Sequence, residues 1–342
     1  MSLDTTAASA EPTAFEQQLP QYYRSILREF KGIAGYFISF NLLFASLFII
    51  EAAVILFLLP LHGKTLLLAG TVALFVLTLF TYFVLHFYYA AKKPEQISQL
   101  RDRFIASCRQ AIGRPDGESE HHLTVASALS KIASYLQDFE WTFYRIPPLL
   151  QPLERWICRF SAYFYWEDVF KMKLCLLHAA VEEHLKQVRL TPTDLEVHAS
   201  LAHTYLLLAR LYQEPSELPP EHPRYGQTQE GQYEEHSRRC ATLAIEEFRI
   251  LHAYAPGDPW VHEQLALTFR SLKQPADEIR ELEALAKLRP QDPEILFRLG
   301  TLYFSQGLNA RGLQIYEQLK TAHFSKASDL VASYGRIYTE IS

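Results

Sequence analysis

Two long apolar runs lie back to back near the start of the chain, at residues 33–59 and 65–91, and the rest of the sequence is read from them. The first holds one acidic or basic residue, Glu51; the second holds only His86 and no proline. At ~1.5 Å per helical residue each run is roughly 40 Å long, more than the ~30 Å hydrocarbon core of a bilayer requires. Between them Pro60 stops a helix and Gly63 permits a reversal, and residues 60–64 are too few for a translocated domain. The pattern predicts a two-helix transmembrane hairpin over 33–91, and a helical hairpin buried in a soluble core is the competing reading. A cleaved signal peptide does not fit, because its apolar region is ~7–15 residues long and lies close to the N-terminus.

Arg24, Arg28 and Lys31 precede the first run, and Lys92, Lys93, Arg101, Arg103 and Arg109 follow the second, whereas the turn offers Lys64 alone. Short basic flanks stay on the cytoplasmic side, so both termini are expected there in an integral membrane protein of two spans. Residues 1–19 are small and polar and predict a disordered tail. Residues 20–32 alternate Tyr22, Tyr23, Ile26, Leu27 and Phe30 with Gln21, Arg24, Arg28 and Lys31. That is an amphipathic juxtamembrane helix, either lying on the membrane or running straight into the first span.

Past a boundary expected at Pro94, Ile97, Leu100, Phe104, Cys108 and Ile112 recur at three- and four-residue spacing. A polar break at 113–120 precedes a second such helix from Leu123 to Phe139, and 92–190 reads as a helical, membrane-proximal region. Its stretch from Trp141 to Phe170 is rich in aromatic residues. Core packing explains that, and so does contact with lipid headgroups, where Arg145, Arg155 and Arg159 meet phosphates.

From about 191 the chain repeats itself with a period of thirty-four, 259–292 aligning with 293–326. Leu265, Ala266 and Phe269 fall on Leu299, Gly300 and Tyr303, and each copy begins at a proline preceded by aspartate. This resembles the tetratricopeptide (TPR) repeat, whose small residues let paired helices approach while large ones fill the gap. Leu201, Ala202 and Tyr205 with Ala244, Phe248 and Pro256 give an earlier copy, split by a proline-rich insertion at 214–229. Tyr334, Gly335 and Tyr338 look like a C-terminal capping helix. The departures are His198, His262 and Leu296 at the family's tryptophan position, and Glu278 and Gly312 at its alanine position. The predicted fold class is therefore all-α: a transmembrane hairpin, a helical region, then a TPR-like solenoid over 191–342.

The resemblance implies a concave groove lined by the first helix of each repeat. It places His203, Trp260, Glu263, Arg270, Phe297, Thr301 and Phe304 there, an aromatic and apolar surface for a protein or peptide partner. The lysines and asparagines with which some family members clamp a chaperone's terminal carboxylate are missing, which argues against a chaperone-tail adaptor.

Composition narrows the chemistry. The net charge of −5 gives no whole-chain case for nucleic acid, and the cations flanking the hairpin suit anionic lipids. Cys108, Cys158, Cys175 and Cys240 stand far apart with no C-x-x-C pair, as reduced thiols do. No phosphate loop, nucleophile elbow, zinc-protease or dinucleotide motif is present, so neither an enzyme nor a cofactor is expected. His121 and His122, near Glu118 and Glu120, read as solvated loop residues. Glu51 is the intramembrane polar candidate, since an ionised carboxylate costs at least ~2.5 kcal/mol near the bilayer centre. Its depth is expected to match Thr71 and Ala73, where it hydrogen-bonds or meets another subunit, or it reaches the far interface.

Three functional readings follow: a membrane-anchored, non-enzymatic scaffold; a structural or pore-like homo-oligomer packed through Glu51, Gly35-x-x-x-Ser39 and Ala69-x-x-x-Ala73; and a secreted host-membrane protein. The last rests on a resemblance of the paired spans to chlamydial inclusion membrane proteins.

Overall fold

The computed structural model describes residues 14–60, 65–112, 121–144, 146, 148–226, 231, 233–331 and 334. The fold is all-α, with eleven α-helices and one short 3-10 helix among the described residues. The chain divides into two compact units, one of residues 1–183 with 218–227, the other of 184–217 with 228–342.

In the first unit α1 (Ala14–Leu58) and α2 (Thr65–Ile112) form an antiparallel pair. Each has a window apolar enough to cross a membrane, and only 6% of either window is buried. The 20–32 stretch is simply the first half of α1, its apolar face inward: Tyr23, Ile26, Phe30, Ala34 and Ile38 are buried. Residues 14–19, expected in a disordered tail, are helical, since α1 begins at Ala14; residues 1–13 lie outside the described set. The boundary expected at Pro94 is absent, because α2 runs through it. An interior proline sacrifices roughly 3 kcal/mol. Burial of Ile97, Leu100, Phe104 and Cys108 on the following turns offsets it.

α3 (His121–Tyr135) packs on α1, with the Tyr23 ring tilted against Tyr135 at 5.3 Å and its hydroxyl donating to the Ala128 carbonyl at 3.3 Å. His121 and His122, expected in solvent, are buried in the first turn of α3. Glu183 explains His122: it takes Arg109 at 2.9 Å and His122 Nδ1 at 2.7 Å, a contact across 61 residues invisible in the local sequence. The 3-10 helix (Pro148–Leu153) leads into α4 (Glu154–Leu190), which carries on past the unit boundary. The proline-rich insertion also packs here: Arg224 Nε donates to the Tyr163 carbonyl at 2.6 Å and its guanidinium lies over the Tyr163 ring. His222 is buried edge-on to Trp141, and that burial, with Arg224 beside it, pulls its pKa down.

The second unit is a stack of helical hairpins: α5 (Leu195–Gln213) with α6 (Glu234–Tyr254), α7 (Pro259–Ser271) with α8 (Pro275–Leu288), and α9 (Pro293–Ser305) with α10 (Asn309–Thr321). The short α11 (Ala327–Val331) packs on α9 and α10. Asp194, Asp258 and Asp292 each cap a first helix by accepting from the N–H two residues on, at 2.9–3.1 Å. Lys273 and Gly307, thirty-four apart, adopt left-handed φ of 55° and 73° after α7 and α9.

Four of the five departures from the family pattern are compensated, those at His198, His262, Glu278 and Gly312. His198 places Nε2 3.0 Å from the Pro192 carbonyl and Nδ1 2.6 Å from Glu247. His262 repeats this with Pro256 at 3.1 Å and Glu281 at 2.8 Å. Each imidazole thus clips the start of a first helix to its own second helix. Glu278 is buried and takes both Nε and a terminal nitrogen of Arg298 from the next repeat, at 2.9 and 2.7 Å. At Gly312 the Phe304 ring fills the space, lying 2.5 Å from where a Cβ would stand.

The His198 clip predicts a pH effect. Burial alone lowers the His198 pKa, but the Pro192 carbonyl and Glu247 carboxylate outweigh it, leaving it above the ordinary 6.5. The protonated form therefore stabilises the fold below about pH 6.5, and this contribution is lost as pH rises through the elevated folded value. His198→Trp, which restores the family's residue, is expected to flatten the fall in Tm with rising pH over that window. Equal slopes in the two proteins would place the titration elsewhere.

Candidate partner-binding groove

The first helices α5, α7 and α9 present two clefts. One is lined by Leu206, Ala209, Arg210, Gln213, Leu267 and Ser271. The other, of about 220 Å³, lies between α7 and α9 and is lined by residues including Glu263, Leu267, Arg270, Glu294, Ile295 and Arg298. Leu267 is shared by both. The surface is more charged than the sequence pattern implies. Arg298 is held by Glu278, and Arg289 lies 3.6 Å from Glu263. Arg210 and Arg270 are exposed and, among the described residues, have no ion-pair partner. Arg210 and Arg298 fall outside the expected groove set, because neither sits at one of the family's usual lining positions.

The seven expected lining residues divide. Arg270 and Glu263 line the α7–α9 cleft. His203 is exposed about two turns from Arg210, and desolvation, followed by that cation, pulls its pKa down, favouring a neutral imidazole at the groove's edge. Trp260 is 39% exposed, its ring edge-on to Phe248. The α9 members differ. Thr301 spends its hydroxyl on the Phe297 carbonyl of its own helix at 2.9 Å, while Phe297 packs on Phe324. Phe304 is 1% exposed, against Gly312 and Tyr334, so it is a core residue rather than a groove residue. The cause is the C-terminal segment. Leu330 sits 2.8 Å from where a Cβ on Gly300 would lie, and Lys326 pairs with Glu294, so the face that α7 leaves open is covered on α9. Of the expected capping helix, only Tyr334 falls within the described residues.

Glu51 lies between the two apolar helices, 8% exposed, and accepts from the Thr78 hydroxyl at 2.8 Å. The expected neighbours Thr71 and Ala73 are not its partners, and Thr71 donates to the Leu68 carbonyl of its own helix. Contacts such as Tyr82 to Asn41 at 3.0 Å set the register, and that register brings Thr78 to Glu51. Glu51 and Thr78 are the only residues of 39–91 buried among those described, while Phe40, Phe44 and Phe48 meet Tyr82 across the helix pair, so one polar contact is enclosed in an otherwise aromatic and apolar hairpin. A Cβ on Gly35 would stand 4.0 Å from the Tyr165 hydroxyl of the same chain, whereas Ala69 and Ala73 stay exposed.

No candidate metal cluster occurs among the described residues. All four cysteines are unpaired, and burial pushes the Cys108 thiol up to about 12.

No protein-family model matches the sequence, and no curated protein is detectably similar to it. Among solved structures the chain is similar to TTC0263, a thermophilic TPR protein of Thermus thermophilus, with 18% identity and a TM-score of 0.31 over 70% of this chain and 97% of that one. It is also similar to MamA RS-1, an ArsTM double mutant, with 13% identity and a TM-score of 0.32 over 67% and 97%. The chain is a TPR-like helical-repeat protein on the repeated caps, turns and clips described above.

Proposed function

We propose that this is a membrane-anchored, non-enzymatic scaffold whose solenoid holds a protein or peptide partner at the cytoplasmic face. The hairpin anchors it, because helices of this length with so little buried apolar surface need lipid around them. The observation that carries the binding role is the open surface of α5 and α7 and their cleft with the start of α9, where Arg210 and Arg270 stand unpaired around Leu267. Arginine is among the usual anchors of binding energy.

A photo-crosslinker at Leu267 of the membrane-bound full chain is expected to trap a discrete partner, while one at Leu313, exposed on α10, is not. Arg270→Glu is expected to weaken capture by roughly tenfold with little change in melting temperature, since an exposed side chain is replaced. Equal trapping at both positions would remove the groove from the proposal. The exposed Ala69 and Ala73 favour a second reading, assembly of several hairpins, which a particle size above one chain in detergent supports. The inclusion-type reading rests on the sequence pattern alone.

A further inference from the structure

We propose that residues 148–164, the 3-10 helix and the first turns of α4, form a third membrane element that dips into the headgroup and upper acyl layers beside the hairpin. This rests on the hairpin reading and adds to it.

The register between α2 and α4 carries the inference. Lys93 pairs with Asp168 at 2.6 Å, Arg101 reaches Cys175 at 3.6 Å, and Arg109 pairs with Glu183 at 2.9 Å. These steps are nearly equal on both helices, so α4 from Asp168 onward runs parallel to α2 as it leaves the membrane. Extended backwards, the same helix runs toward the bilayer. Asp168 sits at the level of Lys93, just outside the second span, and the Tyr165 hydroxyl lies 4.0 Å from where a Cβ on Gly35 would stand, at the start of the first. Trp156 lies nine residues before Tyr165, roughly 14 Å further along the axis at ~1.5 Å per residue. The headgroup layer is only about 5–8 Å thick, so Trp156 reaches the upper acyl chains.

The side chains suit that depth. The ends of the excursion are pinned, with the Phe143 ring stacked on Tyr165 at 3.6 Å and Ser161 bonded to the Glu140 carbonyl. Between them no residue of 151–160 is buried. Trp156 is 74% exposed, and Leu153, Phe160 and Phe164 are exposed with it. An aromatic stripe built for a protein core would be covered. Here it is bare, and Arg155 and Arg159 stand in the same turns, long enough to reach up to phosphates.

The test reads tryptophan quenching by brominated phospholipids in vesicles holding the full chain. Trp156→Phe is expected to lose most of the lipid-quenchable emission of the wild type, and the lost component should respond more to bromines high in the acyl chain than low. Phe80→Trp, on the exposed middle of the second apolar run, reports the hairpin and should respond more to deep bromines. If Phe80→Trp is quenched while wild type and Trp156→Phe are quenched alike, the hairpin stands and the third element is overturned. If Phe80→Trp escapes quenching, the hairpin reading fails and takes this one with it.

Discussion

Phe304→Ala is expected to destabilise the C-terminal repeat by about 3–5 kcal/mol, the range for emptying a buried aromatic site. The sequence pattern predicts the opposite, a groove residue whose loss weakens binding and spares the fold. The structure reverses this because the ring fills the space over Gly312 and meets Tyr334 edge-on, with 1% of its surface in water. Its neighbours Leu299, Leu319 and Leu330 belong to the same buried cluster, so the cavity has few ways to collapse. Hydrogen exchange on the full chain should show faster opening of α9, α10 and α11 together, with α5 and α6 unaffected. Trp260→Ala, at a half-exposed site, should leave that pattern unchanged. A Phe304→Ala protein with normal protection but impaired partner capture would return the residue to the groove.

Lys93→Met is expected to cost about 3–5 kcal/mol, as breaking a buried ion pair does, because Asp168 is left without its cation. The pair is 2.6 Å apart with 17% and 7% of the two side chains exposed, and Lys93 also lies over the Phe37 ring at 4.6 Å. Burial already raises the Asp168 pKa against the pull of Lys93. Without the lysine that pKa rises further, so the penalty is largest at high pH and fades as pH falls and Asp168 takes a proton. Lys93→Met combined with Asp168→Leu should recover most of the loss, since apolar replacement of both partners is often neutral. Thermal unfolding in detergent at two pH values reads all three proteins. Equal Tm for wild type and Lys93→Met would mean that the pair does not hold α4 to α2, and the depth assigned to Trp156 would lose its footing.

The insertion shows how far pattern reading reaches. Four prolines in 214–229 announce a break in the repeat, but nothing local says that Arg224 and His222 fold onto α4 aromatics. Likewise His121 and His122 sit in a polar stretch and look solvated until Glu183 arrives from another helix. Glu51 stands out in an apolar run, yet its partner Thr78 depends on helix register, which an apolar pattern leaves loose.

By itself, then, the sequence determined the features whose cause is local or periodic. The length and purity of two apolar runs make a hairpin, and Asp-Pro entries with small residues every thirty-four positions make stacked helix pairs. Only the tertiary structure decided which faces remain open. Phe304 and Phe297 are covered by chain that follows them, Arg210 and Arg270 are left bare, and Trp156 is carried out of the core by the parallel run of α4 along α2. The reason is physical: a residue's type fixes what it prefers to touch, while exposure depends on which distant segment competes for the same surface.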